Sequence, residues 1–378
     1  MATRGARPLF FITIVLSATL LFSIQPVMAK AILPQFGGSA GVWVTAMMFF
    51  QTMLLAGYFY AWAITRWLSP RMQKVVHGAL LLLSLLSVPV HPHLGAIGSR
   101  PTLSVLAVLA ASVGVPYLTL SATTPLLQAW FTGTLPYRLF AVSNAGSLLA
   151  LLAYPFVIEP LLSTNTQLKI WSVGFALFFV CAEGVVFIAS DQTQPVSADE
   201  GEHAPAILWI TLAACASALW MAVANHVSQQ VAAVPFVWVL LLSLYLLTFI
   251  LCFEGRRNWY DRKVFRFLLP IAWIGGSYAL ANSGNTGILS EISIFAGALF
   301  IWCMFCHGEL ARSKPEGRRQ LTFFYLMLAL GGALGGVFVA VVAPNVFTMP
   351  LELPIGIVTA LIGVPCFVWL LRQPTVGR

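Results

Sequence analysis

The chain has 378 residues, of which 59% are hydrophobic and only 8% are Asp, Glu, Lys or Arg, and its mean hydropathy is +0.89. A soluble globular chain carries about 25% charged residues, so no room is expected for an aqueous catalytic domain or a nucleic-acid-binding face. The formal charge of +8 is expected on loops bordering a lipid bilayer.

A spanning helix needs about 20 mostly apolar residues. Such runs are predicted over 9–33, 39–65, 74–91, 102–123, 138–162 and 167–189, then over 205–225, 231–253, 264–283, 286–306, 321–343 and 353–371. The stretch Ser190 to His203 (SDQTQPVSADEGEH), rich in Pro, Ser and acids, separates the two sets. The prediction is an all-α polytopic membrane protein of about twelve transmembrane helices: a six-helix bundle over 1–189, a cytoplasmic polar linker over 190–204 and a second bundle over 205–378.

Lys and Arg crowd the cytoplasmic ends of spans. With twelve spans, seventeen of the twenty basic residues fall on the side of the N-terminus, and only Lys30, Arg100 and Lys169 fall opposite. Both termini are therefore expected in the cytoplasm, in a bacterial inner membrane. Arg4, Arg7 and Val27-Met28-Ala29 also fit a cleavable signal peptide. Its removal would leave eleven spans and break the even parity of the ends.

Many transporter folds contain duplicated helical halves. At an offset of 195, FGGSAGVWV (36–44) falls on VAAVPFVWV (231–239), and at 184 Phe140 to Pro160 falls on Phe324 to Pro344. Both matches keep the same direction, so a parallel repeat is expected. Gly331, Gly332, Gly335 and Gly336 on the eleventh span, and Ser143, Gly146 and Ser147 on the fifth, suit close approach of helices, as at an interface between bundles.

Ionisable residues at membrane depth are costly and are functional candidates by default. Lys30 and Glu159 fall at similar depth near the outer ends of the first and fifth spans. They either pair across an outer vestibule or snorkel separately to the interface. Glu183 reads as interfacial. Pro26 after Gln25 frees a carbonyl, and such breaks face protein or water. Asn225, His226, Ser228, Gln229 and Gln230 form either a polar loop or an unwound segment facing a cavity, with LPQFGGSAG as a non-helical counterpart. His226 suits a hydrogen-bonded structural histidine as well as a ligand or proton carrier.

Cys303-Met304-Phe305-Cys306-His307 matches the C-x-x-C-H pattern of c-type haem attachment. That chemistry belongs to the outer face, and Arg312, Lys314, Arg318 and Arg319 argue for the cytoplasmic one. The other cysteines sit in apolar runs as small hydrophobes. No metal and no cofactor are expected. His307 and Glu309 align with Thr123 and Pro125 at offset 184, so a paired cytoplasmic gate is one reading and a cap with Glu309 bridged to Arg312 is the other.

QPVMAK (25–30), LPQFGGSAGVW (33–43), FFQ (49–51), LSATTPLLQAWF (120–131), Ser143 to Pro160, NHVSQQVAAVP (225–235) and CHGELAR (306–312) resemble the membrane part of bacterial fused membrane and spermidine-synthase-like proteins, a group described as similar to the major facilitator superfamily. Such proteins often continue into a Rossmann-like aminopropyltransferase domain, and no glycine-rich nucleotide fingerprint stands outside the membrane here. The resemblance implies an acid where Gln230 stands, which argues against ion-coupling chemistry there.

The chain is therefore expected to carry a small polar or cationic solute midway between two halves by alternating access, and the resemblance implies a polyamine-related one. Gln25, Gln51, Gln128, Asn144, His226 and Gln229 are expected to line the pathway, with Lys30, Glu159 and Gln230 completing the solute-binding set and His307 and Glu309 gating it. The alternative is a non-transporting membrane partner or scaffold of a separate aminopropyltransferase-like enzyme. An enzyme within the membrane is disfavoured, because no nucleophile, metal set or acid and base pair falls at one depth.

Overall fold

A computed structural model describes residues 3–37, 40–92, 101–131, 136–189, 205–230, 235–254, 259–282, 285, 287–315 and 320–343. The expected linker over 190–204 and twelfth span over 353–371 lie outside them. Along the chain run α1 (Thr3–Phe36), α2 (Ala40–Trp67), α3 (Pro70–Ser84), α4 (Pro101–Leu109), α5 (Val115–Trp130), α6 (Pro136–Ala153), α7 (Glu159–Leu161), α8 (Thr164–Ile188), α9 (Ala206–Gln230), α10 (Pro235–Phe253), α11 (Arg262–Ala281), α12 (Ile288–Arg312) and α13 (Leu321–Val337). One π-helical turn, Ala110–Gly114, joins α4 to α5, and another, Tyr154–Ile158, joins α6 to α7. Among the described residues eight helices are long and apolar enough to cross a membrane, and Val239–Phe253 and Leu321–Val337 are shorter apolar helices. The protein is a multi-pass, all-helical membrane protein among its described residues.

Three boundaries depart from expectation for identifiable reasons. The third helix starts at Pro70 rather than 74, because the Ser69 side chain accepts from the Met72 amide and Pro70 suits the first helical position. It ends near Ser87, since the residue before Pro89 must be extended, as Val88 is at φ −115° and ψ 132°. The fourth span continues past the SATTP stretch to Trp130. There Thr119, Ser121 and Thr123 donate back to the carbonyls of Pro116, Leu118 and Thr119 at 2.7, 2.9 and 2.7 Å, which hides their hydroxyls from lipid. The first helix runs unbroken through Pro26 and Pro34, so LPQF is helical and a left-handed residue is described only at Gly37, φ +78°.

The chain divides into two compact units, 1–204 with 315–326, and 205–314 with 327–378. In the first, α1 packs against α5, α6 and α8. Leu20, Ile24, Met28 and Ile32 line its buried face, and stacked Trp171 and Phe175 close the core. The Trp171 indole donates to the Leu20 carbonyl at 2.9 Å, satisfying a buried donor. In the second unit α12 is the central helix, packed against α9, α10 and α11.

The small residues mark one crossing made twice. A methyl on Gly146 would meet the Val15 carbonyl oxygen, Ala18 Cβ and Thr19 Oγ1 at 3.1, 3.5 and 3.5 Å. A methyl on Gly331 would meet the Ile210 carbonyl oxygen, Ala213 Cβ and the Ala214 amide at 2.4, 2.8 and 3.1 Å. The partners on the first helix of each half are offset by 195, the value at which 36–44 falls on 231–239, while Gly146 and Gly331 are offset by 185, one residue from the 184 of the other sequence match. The π-helical turns Tyr154–Ile158 and Phe338–Val342 are offset by 184. The glycine stripe thus packs α13 on α9 inside the second unit, where Ser217 also donates to the Gly332 carbonyl at 2.8 Å. Its expected role at an interface between bundles is replaced by this internal one, because only glycine lets α13 come so close to the α9 carbonyls.

Candidate functional site

Lys30, from α1, forms an ion pair with Glu159 at the start of α7, with side chains 39% and 36% exposed. The pairing reading, rather than separate snorkelling, describes these two residues. Glu159 Oε2 also accepts from the Tyr154 hydroxyl at 3.0 Å and from Gln167 Nε2 at 3.4 Å. The π-helical turn makes this possible. Residues five apart lie on different faces of an α-helix, whereas i→i+5 bonding stacks Tyr154 and Glu159 one above the other. Gln167 is buried in the first turn of α8, which Ser163 caps, and it donates to the Leu162 carbonyl at 2.9 Å. Lys30 also lines a cleft of about 500 Å³ with Ala31, Leu33, Pro34, Pro92, Thr164, Asn165 and Leu168.

The other candidates of this unit do not line that cleft. Gln25, half-buried one turn before Lys30, donates to the Tyr117 hydroxyl at 3.1 Å. Asn144 donates to the Phe140 carbonyl of its own helix at 2.9 Å, and Gln51 is half-buried on α2. Gln128 is fully buried and accepts from the Tyr325 hydroxyl at 2.6 Å, while its Nε2 has no hydrogen-bond partner. Glu183 packs against Gly78 of α3, and its buried Oε1 lacks a partner.

In the second unit the backbone is helical from Ala206 through Gln230, so Asn225 to Gln230 form neither a loop nor an unwound segment. His226 Nε2 lies 3.0 Å from Glu291 Oε1 of α12, and the Phe295 ring meets the imidazole edge-on at 5.0 Å. Partner and helix explain the local sequence: the polar run is tolerated because His226 turns inward onto an acid. The side chains of Gln229 and Gln230 lie outside the described set. Glu291 was missed in the sequence, although a lone acid at the start of an apolar run from Ile288 was the available signal.

At the opposite end of α12, His307 is wholly buried. Its Nδ1 lies 2.8 Å from the Thr248 hydroxyl, and Phe249 stacks on the ring at 3.6 Å. Glu309 accepts from the Tyr260 hydroxyl at 2.7 Å and pairs with Arg262 Nε at 3.2 Å, rather than with Arg312. Tyr260 precedes α11, outside the spans; burial, then the Glu309 charge, pushes its phenol well above the ordinary range. Asp261 accepts from the Lys263 and Val264 amides at 2.7 and 3.2 Å, which caps α11 and holds Arg262 in place. The described residues contain no group of three or more His, Cys, Asp or Glu able to hold a metal ion.

The fold is major-facilitator-like. Over 96% of this chain it is similar to a proton:xylose symporter of the major facilitator superfamily (95% of that chain, 12% identity, TM-score 0.57). It is similar over the same share to an outward-facing bacterial homologue of the iron transporter ferroportin (100% of that chain, 14% identity, TM-score 0.56) and to a human organic anion transporter (98%, 11%, TM-score 0.60). Residues 316–373 match the FecCD transport family. No curated protein sequence matches the chain.

Proposed function

We propose that this protein is a carrier that moves a small polar or cationic solute across a bacterial inner membrane by alternating access. The observation that carries this reading is the Lys30–Glu159 ion pair beside an open cleft, set in a fold shared along nearly its whole length with transporters. Apolar helices hold ionisable side chains only at a cost, and such residues mark solute and ion pathways. Gln25, Gln51, Gln128, Asn144, His226, Gln229 and Gln230 complete the solute pathway in this reading, with Lys30 and Glu159 at its entrance. His307 and Glu309 gate the end rich in Lys and Arg, which lies in the cytoplasm with both termini. Two six-helix bundles, 1–189 and 205–378, move about a linker at 190–204.

The resemblance to spermidine-synthase-like membrane proteins makes polyamines one class to test, and it alone supports the second reading of a membrane partner for a separate aminopropyltransferase. Reconstituted protein should show saturable uptake of at least one amine, amino acid or organic ion. Absence of any such uptake, with a soluble enzyme recovered in stoichiometric amount from solubilised membranes, would favour the partner.

A further inference from the structure

We infer that Glu183 is a proton-binding residue, and that its proton decides which of two partners on α8 the Lys74 ammonium takes. The site lies in the seam between the first turns of α3 and the last turns of α8. The Lys30 cleft takes its residues from the opposite end of α8, so this inference stands apart from the identity of the solute.

The two helices meet antiparallel there, with Lys74 against Ala189 and Gly78 against Glu183. Lys74 Nζ donates to the Ala189 carbonyl at the end of α8, where helix carbonyls lack partners and attract a cation. Both carboxyl oxygens of Glu183 lie 3.4 Å from the point where a Cβ on Gly78 would stand. Positions 74 and 78 are one turn apart, so Glu183 fills the place from which an acid at i+4 would pair with Lys74. The ammonium nevertheless bonds a neutral carbonyl, and the buried Oε1 of Glu183 has no hydrogen-bond partner. A carboxylate so placed would lack a counter-charge in apolar surroundings, whereas a carboxylic acid has no charge to offset.

The neighbouring groups supply no other counter-charge. α8 packs chiefly against α1 and α3, and the charged or titratable residues of α3 are Arg71, Lys74 and His77. His77 is wholly buried, with Nδ1 3.5 Å from the Tyr60 hydroxyl and its ring edge-on to Trp130. On α1, Arg7 is exposed two residues before Leu9, which packs on Gly184; Lys30 stands at the opposite end, and the Arg4 side chain lies outside the described set. α8 itself adds Cys181 and, near its start, Lys169. Among the described residues none of these pairs with Glu183. When the carboxyl proton passes to water, the carboxylate left behind draws Lys74 from the Ala189 carbonyl, and a helix cap is exchanged for an ion pair between α3 and α8. The flexible lysine stem serves either partner, and return of the proton restores the cap.

The test is infrared difference spectroscopy of the detergent-purified full chain against its Glu183→Gln variant, from about pH 5 to about pH 9, between the ordinary glutamate and lysine ranges. At the acid end, where an ordinary glutamate is already ionised, the parent should show a carboxylic-acid C=O band that the variant lacks. At the alkaline end carboxylate bands should replace it. Thermal melting follows the lysine. Lys74→Met should lower the melting temperature more at the alkaline end, because only the ionised acid is stranded, and this extra loss should vanish in the Glu183→Gln background. Should Glu183→Gln fail to fold, Gly78→Ala takes its place: its methyl would sit in ordinary contact with both oxygens and should carry loss of the acid band to higher pH. Carboxylate bands alone at the acid end, an acid band that persists at the alkaline end, or a Lys74→Met effect with the same pH dependence in both backgrounds would overturn the inference. Uptake in liposomes tests the carrier reading separately, so the two can fail independently.

Discussion

His226 Nε2 on α9 lies 3.0 Å from Oε1 of Glu291 in the first turn of α12, with side chains only 2% and 6% exposed. This pair ties two helices of the second unit together at the end where α9 finishes and α12 begins. A buried pair contributes little over a well-packed apolar equivalent, but removing one member strands the other in low dielectric, at about 3 to 5 kcal/mol. His226→Leu is expected to destabilise by about 3 kcal/mol or more, because it strands a carboxylate. The double variant His226→Leu/Glu291→Leu should recover most of that loss. Thermal melting of the four proteins in one detergent measures the coupling; simple additivity of the two single changes would show that the residues do not act as a pair.

The glycine stripe makes a sharper prediction because it carries its own control. A methyl on Gly331 would sit 2.4 Å from the Ile210 carbonyl oxygen, and one on Gly335 would sit 2.3 Å from that of Ala214, whereas one on Gly332 would meet nothing within 4 Å. Carbonyls of a packed helix cannot turn aside, so α13 must move away from α9. Gly331→Ala and Gly335→Ala should each cost about 1 to 3 kcal/mol. Gly332→Ala should be neutral or slightly stabilising through helix propensity. Equal melting of all three variants would refute the crossing.

The sequence made the spans legible because hydrocarbon thickness dictates their length, and it set Lys30 and Glu159 at one depth, which left pairing and separate snorkelling both open until the ion pair decided between them. The spacing of 195 recurs between Val15, Ala18 and Thr19 and Ile210, Ala213 and Ala214, because the same face of the first helix of each half meets a glycine. What stayed hidden was set by side-chain direction. Asn225 to Gln230 read as polar and therefore non-helical, yet one inward turn of His226 onto Glu291 satisfies the helix. The SATTP stretch read as an end, yet its hydroxyls bond backward along α5. Glu309 stands three residues from Arg312, the spacing of a helical pair, but Asp261 fixes the start of α11 so that Arg262 reaches it first.

Tyr260 lies flat against Gly308, and a methyl there would fall 2.3 Å from the ring. Gly308→Ala should therefore displace the ring and break its hydrogen bond to Glu309, while Tyr260→Phe removes the bond and keeps the packing. If Glu309 gates the pathway, both changes should raise uptake or leak in liposomes, with Gly308→Ala the larger because it also disturbs the Arg262 pair. Tyr260→Phe alone should cost about 1 kcal/mol of stability, the usual net worth of one hydrogen bond. Transport unchanged in both variants would leave the cluster a purely structural clasp.

Gln128 and Tyr325 separate stability from function most cleanly. The Tyr325 hydroxyl donates to Gln128 Oε1 at 2.6 Å, both residues are fully buried, and the Gln128 amide nitrogen lacks an acceptor. Tyr325→Phe deprives Oε1 of this donor while the amide nitrogen stays unsatisfied, and should cost about 1 to 3 kcal/mol. Replacing both partners, as in Gln128→Leu/Tyr325→Phe, removes the unsatisfied nitrogen along with the bond, and a change of that kind is neutral or stabilising. The doubly substituted protein should melt no lower than the parent. If the polar pair is kept for the solute pathway, the same protein should lose uptake of whichever solute the liposome screen identifies. A stable double variant with full uptake would remove Gln128 from the pathway, and an unstable one would show that the pair is held for the fold.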